Sequence, residues 1–349
     1  MRFNRLLMAL FSAATLTTQA QNLTQEIDDL LGDVVGGSVL VLDQGEVVFD
    51  GSYGVTDLET NTPVTRNTNF RLASVSKQFT ATAVLRLVDR GLIDLDDPIT
   101  RFFPEFPAYG TEITVRHLLQ HRSGLPDYED LIPKGTTLQL NDLDALRLLM
   151  KTEAPLFDPG SEFKYSNSGY VLLGLIVEQI ASQPFQDFMR EEVFTPARMD
   201  GSVMFVHGLN TVPHRAYGHV QRGGNWVAGD QSMTSALRGD GVVYSSTRDL
   251  ARWVAAHDAG VLLKPETTQQ MLTPTAAPAR NAGYGFGWFI STHREHLQVY
   301  HSGSTRGFRL GLMRFPERRA AVIVLLNCDR KGSTVELCEQ IADLVLFDR

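Results

Sequence analysis

A serine and a lysine stand three residues apart in the segment Arg71–Thr80, which reads Arg-Leu-Ala-Ser-Val-Ser-Lys-Gln-Phe-Thr. Apolar residues then recur at helical spacing, at Phe79, Ala83 and Leu87. Gly91 is placed to end that helix. If Ser74 opens the helix, Lys77 lies one turn away on the same face and can exchange a proton with the hydroxyl. The unpaired N–H groups of the first turn also favour developing negative charge. The segment therefore predicts a nucleophile, a base and part of an oxyanion hole, although S-x-x-K alone also occurs in ordinary capped helices.

A second pair of polar side chains lies at Tyr165 and Asn167, ahead of an apolar stretch that predicts a helix from Gly169 to Gln183. The two residues alternate along what reads as an extended segment, so both can point into one cleft. A phenol beside an ammonium group can ionise or relay a proton between Ser74 and a leaving group. Asn167 can hydrogen-bond a substrate amide. Taken alone, the segment is more typical of a core tyrosine and a helix cap.

The third group is His301-Ser302-Gly303, on an expected strand. A glycine at this position lets a substrate approach the strand backbone closely. The N–H of Ser304 can then complete an oxyanion hole with the N–H of Ser74. His301, Gly303 and Ser304, with Asn167, are therefore candidate substrate-binding residues.

In this order, the three motifs resemble the serine β-lactamase and penicillin-binding superfamily. The fit is closest to the class C-like branch, which has Y-x-N as its second motif and includes β-lactamases, D-alanyl-D-alanine carboxypeptidases, D-aminopeptidases and esterases. Three further stretches are similar to that branch: His121-Arg122-Ser123-Gly124-Leu125-Pro126, Tyr165-Ser166-Asn167-Ser168-Gly169-Tyr170 and Thr247-Arg248-Asp249-Leu250-Ala251-Arg252. The resemblance runs from about residue 25 to the C-terminus. It implies an active site between two domains, in which Ser74 forms an acyl-enzyme and either Lys77 or Tyr165 is the base.

The elements that must position these residues follow from hydrophobic patterning. A hairpin is expected over Gly37–Asp43 and Glu46–Asp50, around Gln44-Gly45. Helices are expected over Val115–His121, Asp142–Lys151, Thr247–Asp258 and Val335–Leu346, and strands over Tyr284–Ile290, Val299–Gly303, Arg309–Phe315 and Ala320–Asn327.

These elements predict an α/β fold of the α+β type. Strands at both ends of the chain imply an antiparallel sheet built from both termini and flanked by helices. Between them, residues 99–234 read as short helices joined by Pro- and Gly-rich loops. The expected domains are therefore an α/β domain over residues 21–98 and 235–349 and an inserted, mostly helical domain over residues 99–234, the arrangement that the resemblance also implies.

The third motif departs from the family pattern, because most β-lactamases and penicillin-binding enzymes carry Lys-Thr-Gly there. A lysine offers permanent positive charge to a substrate carboxylate, whereas His301 is largely neutral at pH 7. Arg306 is close enough in sequence to replace that charge, but an exposed arginine is the ordinary interpretation. The sequence therefore favours a hydrolase of esters or small D-amino-acid peptides. A class C-like β-lactamase or D-alanyl-D-alanine carboxypeptidase, and a penicillin- or cell-wall-peptide-binding protein without turnover, are the alternatives.

The N-terminus and the overall charge bear on location and partners. Arg2 and Arg5 precede a short apolar stretch and small residues, which predicts a signal peptide over residues 1–20, cleaved after Ala20, and a periplasmic or secreted protein. An uncleaved anchor is the alternative.

Loss of the two arginines takes the formal charge from −8 to −10, which argues against a nucleic-acid partner. No later stretch is apolar for long enough to span a membrane. The expected partner is a small-molecule substrate: an ester, a D-amino-acid peptide or a β-lactam.

The remaining candidates are less specific. Cys328 and Cys338 can form a disulfide in an exported protein or remain buried thiols, and the sequence does not decide between these. His117 and His121 have the spacing of two metal ligands on a helix, but the Glu of H-E-x-x-H is missing, so both are interpreted as structural. No metal site and no cofactor are implied.

Overall fold

The computed structural model describes residues 22–276 and 282–348. Its centre is an eight-stranded sheet with the order β2-β1-β13-β12-β11-β10-β9-β8, in which every neighbouring pair is antiparallel. The N-terminal strand β1 pairs directly with the last strand β13, from Gly37 opposite Leu326 to Leu42 opposite Ala321. The two ends of the chain therefore meet inside one sheet, which confirms the predicted fold class.

The strands of this sheet are β1 (Gly36–Asp43), β2 (Glu46–Gly54), β8 (Thr275–Ala276), β9 (Gly283–Tyr284), β10 (Phe289–His293), β11 (His296–Thr305), β12 (Phe308–Phe315) and β13 (Ala320–Leu326). Two smaller sheets contain β3 (Phe70–Arg71), β7 (Val243–Ser245) and β4 (Val203–Met204), and the hairpin of β5 (His219–Arg222) and β6 (Asn225–Ala228).

The α-helices span 22–31 (α1), Lys77–Asp89 (α2), Val115–Leu119 (α3), Asp142–Leu149 (α4), Asn167–Ala181 (α5), Phe185–Phe188 (α6), Arg238–Gly241 (α7), Thr247–Asp258 (α8), Pro265–Met271 (α9) and Thr334–Ala342 (α10). Shorter 3-10 turns lie at Ala73–Ser76, Ile99–Arg101, Ala108–Glu112, Tyr128–Leu131 and Pro316–Arg318, and π-helical turns at Met189–Phe194 and Asp343–Phe347.

Both faces of the sheet centre are buried, because side chains alternate along each strand. On β1, Val39 and Val41 pack against α1 and α10, whereas Leu40 and Leu42 join the larger core that contains α2 and α8. A strand that is buried on both faces has apolar residues at successive positions, not only at alternate ones. The larger core also contains apolar residues of α5, so it links the sheet to the helices that carry the candidate site.

Several local predictions are confirmed. The hairpin β1–β2 turns at Gln44 and Gly45, which both have positive φ, +52° and +86°. Helix α8 has the predicted bounds, and α3 begins after Thr114, whose side chain caps it. Helix α2 ends at Asp89, two residues before Gly91, which has φ +71°.

Three predictions need correction. The stretch Tyr284–Ile290 is not one strand: β9 ends at Tyr284 and β10 begins at Phe289, with a turn between them. Gly287 makes the turn possible, because its φ is +80° and a Cβ there would lie 2.9 Å from the Cα of Gln78. Asn167 is not in an extended segment but is the first residue of α5. Residues 99–234 also hold strands, including the β5–β6 hairpin around Gly223-Gly224, a dipeptide that is itself a hairpin signal.

The domain boundaries at residues 98 and 234 stay predictions. The signal peptide over residues 1–20 lies outside the described residues. Within the described ranges, none of the helices combines the length and the apolar composition that crossing a bilayer requires.

Cys328 and Cys338 are free and buried. Cys338 packs on Gly311 of β12, where a Cβ would lie 2.6 Å from the cysteine sulfur. Burial raises the pKa of both thiols, so the reactive thiolate is scarce in the folded protein. We therefore expect slow alkylation of the native protein and two alkylations per chain in denaturant without reductant, measured by intact mass. A chain that takes up label in denaturant only after reduction would contain a disulfide.

Candidate active site

Ser74 lies in the 3-10 turn Ala73–Ser76, between β3 and α2, and its side chain is partly exposed. Ala73 has φ +47°, a left-handed conformation that costs energy for a residue with a Cβ and that recurs at functional sites. Two hydrogen bonds join the turn to β7. Leu72 N–H donates to the carbonyl of Val243 (2.8 Å), and Val243 N–H donates to the hydroxyl of Ser76 (3.2 Å). These bonds fix the position of the strained turn.

Lys77 begins α2 and is fully buried, at 0% exposure. Its amine lies 3.1 Å from Ser74 Oγ, 2.8 Å from Asn167 Oδ1 and 3.2 Å from the carbonyl oxygen of Asp240. Its Nζ also lies 5.1 Å from the ring centroid of Tyr165. No ion pair within the described residues includes Lys77. Among the described residues, the amine is therefore held by three oxygens, none of which belongs to a carboxylate.

Asn167 reaches Lys77 from the start of α5. The helix is capped by Ser166, whose side chain accepts from Ser168 N–H, and the N–H of Asn167 donates to Asp127 Oδ2 at 2.8 Å. Because both its backbone and its side chain are held, Asn167 has a defined orientation beside the amine. The structure therefore brings Ser74, Lys77 and Asn167 together from positions far apart in the chain.

Tyr165 lies beside this group, but its hydroxyl makes no hydrogen bond to Ser74 or Lys77. Its ring stacks on His121 with 4.2 Å between centroids and lies parallel to Phe289 at 6.3 Å. The phenol oxygen is buried and has no hydrogen-bond partner among the described residues. The predicted proximity of Tyr165 to Lys77 is observed, whereas a hydrogen bond from the phenol to the nucleophile is not.

His301 is buried, with 2% of its surface exposed. Its Nδ1 lies 2.7 Å from the carbonyl oxygen of Ser302 and its Nε2 lies 3.3 Å from the hydroxyl of Tyr284. The first contact requires N–H on Nδ1, so Nε2 accepts from Tyr284. Burial, and secondarily the charge of Lys77, lower the pKa of His301 to about 3. The residue is thus a neutral, enclosed ring that cannot attract a substrate carboxylate by charge.

Gly303 and Ser304 lie on the part of β11 that passes the nucleophile turn. A Cβ at Gly303 would lie 2.3 Å from the carbonyl oxygen of Leu72, so only glycine allows this approach. Strand β10 pairs with β11 no further than Phe289 opposite Tyr300, and β12 is the one described strand that pairs with β11 beyond that point. The backbone from His301 to Thr305 therefore borders Ser74 along one unpaired edge, and the Ser304 side chain is exposed.

Two residues at the site were not predicted as functional from the sequence. Asp240 supplies a carbonyl oxygen to Lys77, and no spacing relates the two across 163 positions. His121 was predicted to be structural, and its Nδ1 does accept from Ser166 N–H at 3.3 Å, yet its ring supports Tyr165. His117 takes part in the capping box of α3 with Thr114. Within residues 22–276 and 282–348, no cluster of three His, Cys, Asp or Glu residues is placed to hold a metal ion.

A family model described as Beta-lactamase matches residues 23–346. "Penicillin-binding protein 4*" of Bacillus subtilis (strain 168) is 29% identical over 328 residues, which covers 89% of this chain and 72% of that protein. Protein flp of Staphylococcus aureus (strain MRSA252) is 28% identical over 89% of this chain, and the chain spans 64% of its length. Among solved structures, D-amino acid amidase from Ochrobactrum anthropi SV3, complexed with D-phenylalanine, has a TM-score of 0.80 at 27% identity, covering 94% of this chain and 100% of that chain.

Burial of His301 predicts a pH-dependent loss of stability. The unfolded chain takes up a proton near pH 6.5, but the folded ring does so only near pH 3. The penalty is absent above pH 6.5, grows as pH falls towards 3, and reaches about 1.4 kcal/mol at pH 5.5. We expect His301→Gln to lose a smaller part of its free energy of unfolding than wild type between pH 7.5 and 5.5, measured by urea denaturation.

His296→Gln is the matched control, because it removes a histidine that is only partly buried from the other end of β11. Equal pH dependence in His301→Gln and wild type would contradict the assignment of a neutral, buried imidazole at residue 301.

Proposed function

Because this chain belongs to the β-lactamase family of serine hydrolases, we propose that it is an exported hydrolase that forms an acyl-enzyme on Ser74 and cleaves esters or small D-amino-acid peptides. The observation that carries the proposal is the 3.1 Å contact between the buried amine of Lys77 and Ser74 Oγ. A free amine at that distance is within reach of the hydroxyl proton, as general-base catalysis requires.

The proposed reaction has two stages. Ser74 Oγ forms a bond to the substrate carbonyl carbon while its proton passes to Lys77 or Tyr165, and the carbonyl oxygen becomes an oxyanion. The N–H groups of Ser74 and Ser304 stabilise that charge, an effect worth about 3 kcal/mol per donor. Collapse of the intermediate breaks the bond to the leaving alcohol or amine, which takes the proton. Water then cleaves the acyl-enzyme in a second attack and regenerates the Ser74 hydroxyl.

The substrate class follows from the charge of the third motif. His301 is neutral and enclosed, so it offers no cation to a carboxylate such as that of a β-lactam. The unpaired edge of β11 instead offers backbone groups, which suit a neutral amide or ester lying in an extended conformation. The similarity to a D-amino acid amidase supports small D-amino-acid amides or peptides.

One observation favours a second candidate, a protein that is acylated without turnover. The ring of Tyr165 packs against His121 and Phe289, and its phenol has no hydrogen bond to Ser74 or Lys77. If the phenol must activate the water of the second stage, the lack of this hydrogen bond would leave the acyl-enzyme intact. A panel of esters, D-alanyl peptides and cephalosporins separates the candidates, because turnover supports the hydrolase and a stoichiometric burst alone supports the binding protein.

Export is part of the proposal and rests on the charged and apolar pattern of residues 1–20. A mature protein that begins at Gln21 in a periplasmic or secreted fraction would support it. A chain that retains Met1 there would contradict cleavage.

The nucleophile can be identified without a known substrate. We expect a fluorophosphonate to add one phosphonyl group to wild type, with loss of fluoride, and peptide mapping to place it on Ser74. Ser74→Ala should label at least about 10³-fold more slowly, because no other group replaces an activated nucleophile. Ser161→Ala, at an exposed loop serine, should label like wild type. Label on another residue would overturn the assignment.

A further inference from the structure

Three successive carbonyl groups of α7 are held by side chains that flank the nucleophile in sequence. The carbonyl oxygen of Gly239 accepts from Thr80 Oγ1 at 2.7 Å, that of Asp240 from Lys77 Nζ at 3.2 Å, and that of Gly241 from Arg71 Nε at 3.3 Å. The short helix is therefore joined to both sides of the Ser74 turn.

Helix α7 packs closely on its neighbours around Asp240, and most closely at Gly239. A Cβ at Gly239 would lie 2.0 Å from the carbonyl oxygen of Tyr170, so α7 approaches α5 backbone to backbone. A Cβ at Gly241 would lie 3.7 Å from the Cα of Ala73. Asp240 lies between them, is 7% exposed, and its Oδ2 is 3.2 Å from the hydroxyl of Tyr128, which is itself buried. A buried carboxyl group thus belongs to the same residue whose main-chain carbonyl accepts from Lys77.

The charged groups that act on Asp240 come from three other elements: Lys77 from α2, Asp142 from α4 and Glu129 from the turn Tyr128–Leu131. Arg238 lies two residues before Asp240 on α7 itself. Arg238 is neutralised, because it pairs with Asp142 at 2.6 Å and with Glu178 of α5 at 2.7 Å. The hydroxyl of Tyr128 is also 3.4 Å from Glu129 Oε1. Lys77 is therefore the cation that most directly opposes the carboxylate.

The carboxyl of Asp240 gains or loses its proton close to neutral pH. Burial raises the pKa of Asp240 to about 7, and Lys77 and the Tyr128 hydroxyl act in the opposite direction. Asp142 and Glu129 act with burial. Small changes near the site can therefore decide whether a negative charge lies behind the amine at neutral pH.

We propose that Asp240 is a positioning residue for acylation: its main-chain carbonyl fixes the amine of Lys77 beside Ser74, and the charge of its buried carboxyl, which contacts the Tyr128 hydroxyl, sets the pH dependence of the reaction at Ser74. The inference rests on the proposed role of Ser74 as the nucleophile. A negative charge on the Asp240 carboxyl opposes the loss of positive charge nearby, so acylation of Ser74 is slower when this carboxyl is ionised. A protonated Asp240 removes that effect without moving the amine.

The test is the pH dependence of fluorophosphonate labelling at Ser74. Asp240→Asn keeps the size of the side chain, an acceptor for Tyr128 and the main-chain carbonyl, but removes the charge. The pH of half-maximal labelling should fall by at least about one unit, because a unit charge within roughly 10 Å has an effect of that size at an effective dielectric constant of about 20. No shift, or a shift to higher pH, would overturn the proposal.

A second variant, Tyr128→Phe, tests the same charge even if Asp240→Asn fails to fold. Tyr128→Phe removes the hydrogen bond to the carboxylate, so Asp240 is ionised over a smaller part of the pH range. Its half-maximal pH should move in the same direction as that of Asp240→Asn, by a smaller amount. Loss of thermal stability without any movement of the profile would mean that the pair is only structural.

Asp249→Asn is the matched control. Asp249 is a buried carboxylate on α8 that accepts from Gly201 N–H at 2.8 Å and Ser202 Oγ at 3.0 Å, so its loss should lower stability and leave the profile in place. If wild type itself is not labelled on Ser74, the proposed function fails. If wild type is labelled and Asp240→Asn keeps the wild-type profile, this inference alone fails.

Discussion

The enclosed amine of Lys77 is the constraint on which the rest of the site depends. A charged or strongly polar group without access to water must find its partners in the protein, and burial without them is costly. Here the partners are three oxygens, from Ser74, Asn167 and Asp240. They come from separate parts of the chain, so the amine is satisfied only when the nucleophile turn, the start of α5 and α7 are all in place.

The fold provides the rigid surroundings that such an arrangement needs. Pairing of β1 with β13 joins the chain ends, and β11 reaches the nucleophile turn from the same sheet. Gly303 lets that strand touch the carbonyl of Leu72, and Gly239 lets α7 touch α5. Close contacts between backbones leave little freedom at Ala73, whose left-handed conformation would otherwise relax. Packing and strain thus support one geometry at Ser74.

The sequence predicted those parts of this arrangement that depend on local pattern. The spacing of Ser74 and Lys77 on one turn and the apolar runs of β1 and β13 are local signals, and the structure agrees with them. Three features depend on tertiary contacts and could not be predicted in this way. They are the burial of His301 beside Tyr284, the lack of a hydrogen bond to the Tyr165 hydroxyl, and the approach of Asp240. The break at Gly287 was missed because an apolar run does not reveal a turn that packs on α2.

The most direct test of this account is a high-resolution crystal structure of the protein at neutral pH. It should place the amine of Lys77 within hydrogen-bond distance of the oxygens of Ser74, Asn167 and Asp240 together, with no carboxylate in ion-pair contact. An amine that is turned to solvent, or paired directly with a carboxylate such as that of Asp127 or Glu129, would contradict the account. The role of every other residue at the site would then need a new explanation.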